Sequence, residues 1–153
     1  LFSGISDEPV SRETRKKNGA PMKTHGPRIM IVEDDLPLLY SLSFTLRRHQ
    51  YLVDSASNGK EALERLLEAQ RKGMQFDLLV TDALLPGIAG LDIIDRLHEH
   101  GICIPILVIT ASADKNFTKQ LERRSIKDLL AKPFTTDELV GRVAAILERQ
   151  PHL

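Results

Sequence analysis

From Arg28 onward, short runs that are apolar at every position alternate with longer segments of helical period. A strand with no polar side for water must be covered on both faces, so this alternation forces a parallel sheet flanked by helices. The runs Ile29-Met30-Ile31-Val32, Leu78-Leu79-Val80 and Ile106-Leu107-Val108-Ile109 are therefore read as the central strands. Tyr51 to Ala56 alternates more, and Leu129-Leu130-Ala131 is short, which suits the sheet edges. Between the runs, apolar stripes predict helices. Leu39, Leu42 and Leu46 mark the first; Ala62, Leu63, Leu66 and Leu67 the second; Leu91, Ile94 and Leu97 the third; Leu139, Val143 and Ile146 the fifth. The fourth, near Asp114 to Arg124, turns only Phe117 and Leu121 inward and is expected to be the least firmly anchored.

Five such βα units with right-handed crossovers give a doubly wound five-stranded parallel sheet, for which the common strand order is 2-1-3-4-5. Ligands of such sheets bind beyond the carboxyl ends of the strands at the switch point, which in this order lies between strands one and three. The residues just past those strands are Glu33-Asp34-Asp35 and Asp82. Topology alone thus gathers an acidic cluster at the expected ligand site.

A chain of 153 residues suits one domain, with a core large enough to need no disulfide or metal staple. Residues 1–26 are mostly polar and basic, with no sustained apolar period, and read as an arm or linker; residues 27–150 hold the domain and 151–153 a short tail. Met22 could equally be a natural start. The arm could touch nucleic acid, but a solvated tail or interdomain tether is the preferred reading. The 21 basic and 21 acidic side chains cancel, so no global field draws the domain to nucleic acid or to an anionic membrane. The lone Cys103, in the apolar run Ile102 to Ile104, is expected to be a small buried thiol, which fits a reducing cytoplasm. No apolar stretch approaches the ~20 residues of a membrane helix, and the N-terminus lacks the apolar core of a signal peptide.

Carboxylates crowded into one cleft repel: at ~4 Å and an effective dielectric near 20, each pair costs about 4 kcal/mol. A hard divalent ion relieves this, and Mg²⁺, with Mn²⁺ as a plausible substitute, fits an all-oxygen cluster with no His or Cys nearby. Such a site also suits phosphate, because the ion lets an anionic nucleophile approach an anionic donor. Two more residues close the remaining strands. Thr110 offers a hydroxyl and Lys132 a movable positive charge over the same cleft, and the Lys132-Pro133 bond permits a cis peptide that would aim the lysine inward. Asp35, before Leu36-Pro37, is explained as a helix N-cap. His98 and His100 cannot share a helix face, His49 suits a helix C-terminus, and Asn58-Gly59 fits a turn into the second helix.

The motifs Ile31-Val32-Glu33-Asp34-Asp35, Asp77-Leu78-Leu79-Val80-Thr81-Asp82 followed by Leu85-Pro86-Gly87 and Gly90, Ile109-Thr110-Ala111 and Lys132-Pro133-Phe134 are individually weak. In this order and spacing, over Arg28 to about Gln150, they resemble the receiver domain of two-component response regulators. The resemblance implies a flavodoxin-like, CheY-like (βα)5 fold and an Asp82 that takes a phosphoryl group from a histidine kinase or phosphotransfer protein. It also implies Asp34 as a direct Mg²⁺ ligand, Glu33 through water, the Leu84 carbonyl as a backbone ligand, and Thr110 and Lys132 on the phosphoryl oxygens. Such a domain catalyses only its own phosphorylation and dephosphorylation, and is not an enzyme acting on an external substrate.

Two departures from that pattern fall on the output face. The family's usual aromatic three residues before the lysine is Leu129 here, so a leucine must repack where a ring would swing. The usual Gly-Ala pair upstream is Ser125-Ile126, which can alter the turn into strand five. Leu84 and Ser112, flanking the phosphoryl site, offer no acid or amide to orient a water, which predicts slow self-dephosphorylation.

Competing functions remain open from sequence. A Mg²⁺-dependent aspartyl-phosphate phosphatase would need a second Asp two residues after the nucleophile, where Leu84 stands. A pseudo-receiver would not need Asp34, Asp82, Thr110 and Lys132 together. A nucleotide- or flavin-binding module would show a Gly-rich loop after the first strand, and none follows it. Output is expected from a protein partner, a homodimer or a domain outside this chain, and the arm also allows a receiver cut from a hybrid histidine kinase.

Overall fold

The computed structural model describes residues 26–85 and 90–149. Nearly all of the expected N-terminal arm, Pro86 and Gly87 of the third-strand motif, Gln150 and the tail 151–153 lie outside these described residues. Five βα units follow one another: β1 (Arg28–Val32), α1 (Leu36–Arg48), β2 (Leu52–Ala56), α2 (Gly59–Arg71), β3 (Leu78–Asp82), α3 (Gly90–Glu99), β4 (Ile106–Thr110), α4 (Lys115–Arg123), β5 (Asp128–Ala131) and α5 (Thr136–Glu148). The strands form one parallel sheet in the order β2-β1-β3-β4-β5. Both the order and the placement of β2 and β5 at the edges agree with the sequence reading.

The apolar runs split by parity, as the two-residue period of a strand demands. Ile29, Ile31, Leu78, Val80, Leu107 and Ile109 point to one face, where Leu39, Leu42 and Leu46 of α1 and Leu139, Val143 and Ile146 of α5 cover them. Met30, Val32, Leu79 and Val108 point to the other, beneath Ala62, Leu63 and Leu66 of α2, Leu91, Ile94 and Leu97 of α3 and Leu121 of α4. Burying a side chain of this size contributes roughly 1.5–3 kcal/mol. Leu121 is the only buried residue of α4, with Phe117 partly buried against the same core, so this helix has the smallest apolar anchor of the five.

Helix starts are set by side-chain caps. Asp35 accepts the Leu38 N–H, Asn58 the Glu61 N–H, Asp114 the Phe117 N–H and Thr135 the Glu138 N–H. The His49 ring meets the Thr45 carbonyl at the C-terminal end of α1, and His98 and His100 are exposed, so these histidines stay outside the site. Ser125 sits just past α4 at φ 58, the left-handed position that glycine usually fills at a helix end.

The expectation for Cys103 is corrected: its side chain is exposed. Ile102 to Ile104 precede β4 and belong to the α3–β4 connection. Ile102 and Ile104 pack partly against the core, and the residue between them turns outward. A short apolar run cannot by itself distinguish a strand from a loop that touches the core at alternate positions.

Candidate functional site

The carboxyl ends of β1 and β3 lie side by side, Val32 opposite Thr81, and each delivers its acid to the same cleft. Glu33 and Asp82 are buried, at 1% and 7% exposure, whereas Asp34 is open to solvent. One carboxylate oxygen from each of Glu33, Asp34 and Asp82 lies within 4.8 Å of the others. The donor set is all hard oxygen, which fits a divalent cation of the Mg²⁺ or Mn²⁺ kind and not a soft metal.

Lys132, just past β5, reaches across β4 into this cleft. Its Nζ lies 2.7 Å from Asp82 Oδ2 and 3.3 Å from Glu33 Oε2. The Lys132-Pro133 peptide is cis. The other Asp82 oxygen accepts the Leu84 N–H at 2.9 Å, while the Leu84 side chain stands 76% exposed beside it. Asp82 is thus hydrogen-bonded through both oxygens, its carboxylate held by one ammonium and one amide.

The electrostatics reflect crowding. Burial pushes the Glu33 carboxyl up to about 7; the hydrogen bond and charge of Asp82 add to this, against the Asp35 N–H and Lys132. That Asp35 N–H donates to Glu33 Oε1 at 3.1 Å, so Asp35 caps α1 with its side chain and steadies Glu33 with its backbone. For Lys132, burial favours the neutral amine, but the hydrogen bond and charge of Asp82, with Glu33 behind them, outweigh it and raise its pKa. The lysine is therefore charged across the neutral range.

Thr110 ends β4 and is buried, but its hydroxyl does not point to an acid. It donates to the Ser112 carbonyl at 2.9 Å and accepts the Ser112 N–H at 3.2 Å, a local turn that occupies its proton and one of its two lone pairs. Its backbone carbonyl accepts the Lys132 N–H, which keeps the two strand ends in register. The structure thus brings Glu33, Asp34, Asp82 and Lys132 together and places Thr110 on the adjoining strand end with its hydroxyl engaged elsewhere.

Gly90 matters to the same cleft. A Cβ on this first residue of α3 would come within 2.2 Å of the Asp82 carbonyl oxygen, so only glycine lets α3 start against the end of β3. The role of the Asp35 amide escaped the sequence reading, because no residue type marks a backbone donor. Leu129 is half-buried against the α2–α3–α4 face, opposite Val108 in the sheet.

Fold and site together define a doubly wound α/β domain with an acidic, lysine-bearing cleft at its switch point. The chain belongs to the response regulator receiver domain family, whose model matches residues 29–144. It is similar to the transcriptional regulatory protein ResD of Bacillus subtilis, 32% identical over 83% of this chain and 50% of that protein. The response regulator ArlR of Staphylococcus aureus is 34% identical over 81% of this chain and 54% of its own length. This chain therefore spans about half the length of these relatives. Among solved structures, one described as a response regulator of Chloroflexus aurantiacus is 36% identical, covers 81% of this chain and 99% of its own, and superposes with a TM-score of 0.71. Among the described residues, no helix is long and apolar enough to cross a membrane.

Proposed function

We propose that Asp82 is the phosphoacceptor of this receiver domain, and that Glu33, Asp34, Asp82 and the Leu84 carbonyl hold Mg²⁺, or Mn²⁺ in its place. The observation that carries this reading is the pairing of Asp82 with Lys132 at 2.7 Å inside a cluster of three carboxylates. A bound divalent ion would neutralise the phosphoryl oxygens and the surplus of negative charge in the cleft. A carboxylate oxygen of Asp82 attacks the phosphorus of the donor, the bond from phosphorus to the donor's histidine nitrogen breaks, and an acyl phosphate results. Lys132 moves its charge from the carboxylate to the new phosphoryl oxygens. Thr110 gives up the Ser112 carbonyl and donates its hydroxyl to the same group. Hydrolysis returns the carboxylate when water attacks phosphorus and inorganic phosphate leaves.

The phosphodonor is a histidine kinase or a phosphotransfer protein, and the domain turns over no external substrate. Residues 27–150 form the domain, with 1–26 as a tether. The length of the relatives supports an output domain or partner as the reader of the switch, with a homodimer as a further route. A cytoplasmic location fits this partner set. The test is incubation with Mg²⁺ and acetyl phosphate followed by intact mass analysis. Wild type is expected to gain one acid-stable, base-labile phosphoryl group. No adduct on wild type, or a full adduct on Asp82→Asn, overturns the assignment.

A further inference from the structure

Helix α4 is tied down at both ends, by different means. At its start, Asp114 caps the first turn, two residues beyond the Ser112 carbonyl that engages the Thr110 hydroxyl. Any movement of the Thr110 hydroxyl toward Asp82 therefore releases a connection only two residues from the Asp114 cap. At its end, Arg124 extends to Asp95 on α3 in a two-pronged pair, Nε to Oδ1 at 2.8 Å and Nη2 to Oδ2 at 2.9 Å. The same guanidinium donates through Nη1 to the Gln120 carbonyl at 3.0 Å, closing the last turn of α4 onto its own pin. The match of a planar fork to a carboxylate is the geometry in which a partly exposed pair contributes most.

This pin matters because so little else holds the helix. Leu121 is its one buried side chain, and most of α4 is charged or polar. Arg124 pulls the Asp95 carboxyl below the usual carboxylate range, and Asp95 raises the Arg124 guanidinium in turn, as a formed pair requires. The pair lies toward the opposite end of α4 from the acidic cleft and touches none of the residues assigned to phosphoryl chemistry.

We infer that the Asp95–Arg124 pair is a latch that holds α4 in its resting position and opposes the rearrangement that follows phosphorylation of Asp82. This rests on the phosphoacceptor reading above. A contact present only in the resting state stabilises that state, and by linkage its loss favours the phosphoryl-bound one.

Asp95→Asn and Arg124→Gln, each in the full chain, test the latch in two ways. Hydrogen exchange on the unphosphorylated protein is expected to show faster exchange in residues 115–123 while the β1, β3 and β4 amides stay protected. Phosphorylation by acetyl phosphate and Mg²⁺ is expected to run faster than in wild type, by about fivefold when a coupling at the lower end of the usual range is expressed in the forward step. The double variant should add little to either single one. Unchanged α4 exchange, or loss of protection spread evenly over the domain, overturns the latch. So does a phosphorylation rate equal to that of wild type. A wild type that accepts no phosphoryl group refutes the phosphoacceptor reading instead, and with it the latch's link to phosphorylation. The exchange measurement then still decides whether the pair holds α4.

Discussion

Lys132 Nζ and Asp82 Oδ2 sit 2.7 Å apart across the width of two strand ends, and the same ammonium lies 3.3 Å from Glu33. One cation thus serves two buried acids. In Lys132→Gln, Glu33 and Asp82 would face each other without it, and removing one partner of such a pair costs about 3–5 kcal/mol when fully buried. Lys132 keeps about a quarter of its side chain exposed, so a loss of about 1–3 kcal/mol in urea unfolding is expected without Mg²⁺. Added Mg²⁺ should restore part of it and leave phosphorylation slower than in wild type. Equal stability of the two proteins in the absence of metal would contradict this account of the cleft.

The pH dependence of stability should carry the mark of Glu33. Its folded-state pKa, about 7, lies above the ordinary 4.5, so between these values the native carboxyl keeps a proton that the unfolded chain has lost. The resulting stabilisation is complete below about 4.5 and disappears as pH rises through about 7. Thermal unfolding of wild type minus that of Glu33→Gln, without Mg²⁺, isolates this contribution from the other titrating groups. Mg²⁺ affinity should rise across the same window, because the ion competes with that proton. A difference curve flat from about pH 5 to 8 would count against a protonated Glu33.

Gly90→Ala is expected to disturb the cleft from behind. The added methyl would meet the Asp82 carbonyl oxygen at 2.2 Å unless α3 shifts. Overpacking of this sort costs about 1–3 kcal/mol. Urea unfolding should show that loss, and acetyl phosphate labelling of the folded variant should be slower because β3 ends in Asp82. Unaltered stability would mean that α3 moves away freely.

Once formed, the acyl phosphate should persist for minutes or longer in the purified domain. Leu84, its side chain exposed beside Asp82, and Ser112, its amide and carbonyl engaged with Thr110, present no acid or amide side chain to orient the attacking water. Time-resolved intact mass after removal of the donor measures the decay. Leu84→Asn or Leu84→Glu, either of which can hold a water, should shorten it several-fold. A lifetime of a few seconds in wild type would refute the prediction.

Much of this molecule was legible in one dimension because its chemistry sits where secondary structure ends. Strands covered on both faces carry near-continuous apolar runs, so β1, β3 and β4 declared themselves, and Glu33, Asp82 and Thr110 at their carboxyl ends marked the cleft. The N-cap role of Asp35 was equally local, set by Leu36-Pro37 and a donor three residues on. Cys103 was misread because an apolar triplet carries no sign of whether it lies in a strand or beside one.

The residue pattern by itself determined five βα units, their strand order and the four acids and bases that converge at the switch point, because periodicity and chain connectivity are properties of neighbours. Tertiary structure alone decided that Lys132 is shared by Asp82 and Glu33, that the Thr110 hydroxyl is turned to Ser112, and that Asp95 pins Arg124. The Lys132 and Asp95 pairings depend on where side chains from distant elements meet; the Thr110 pairing, though local, depends on a rotamer that residue type does not specify. Energies of this kind follow distance and burial, and these exist only once the chain has closed.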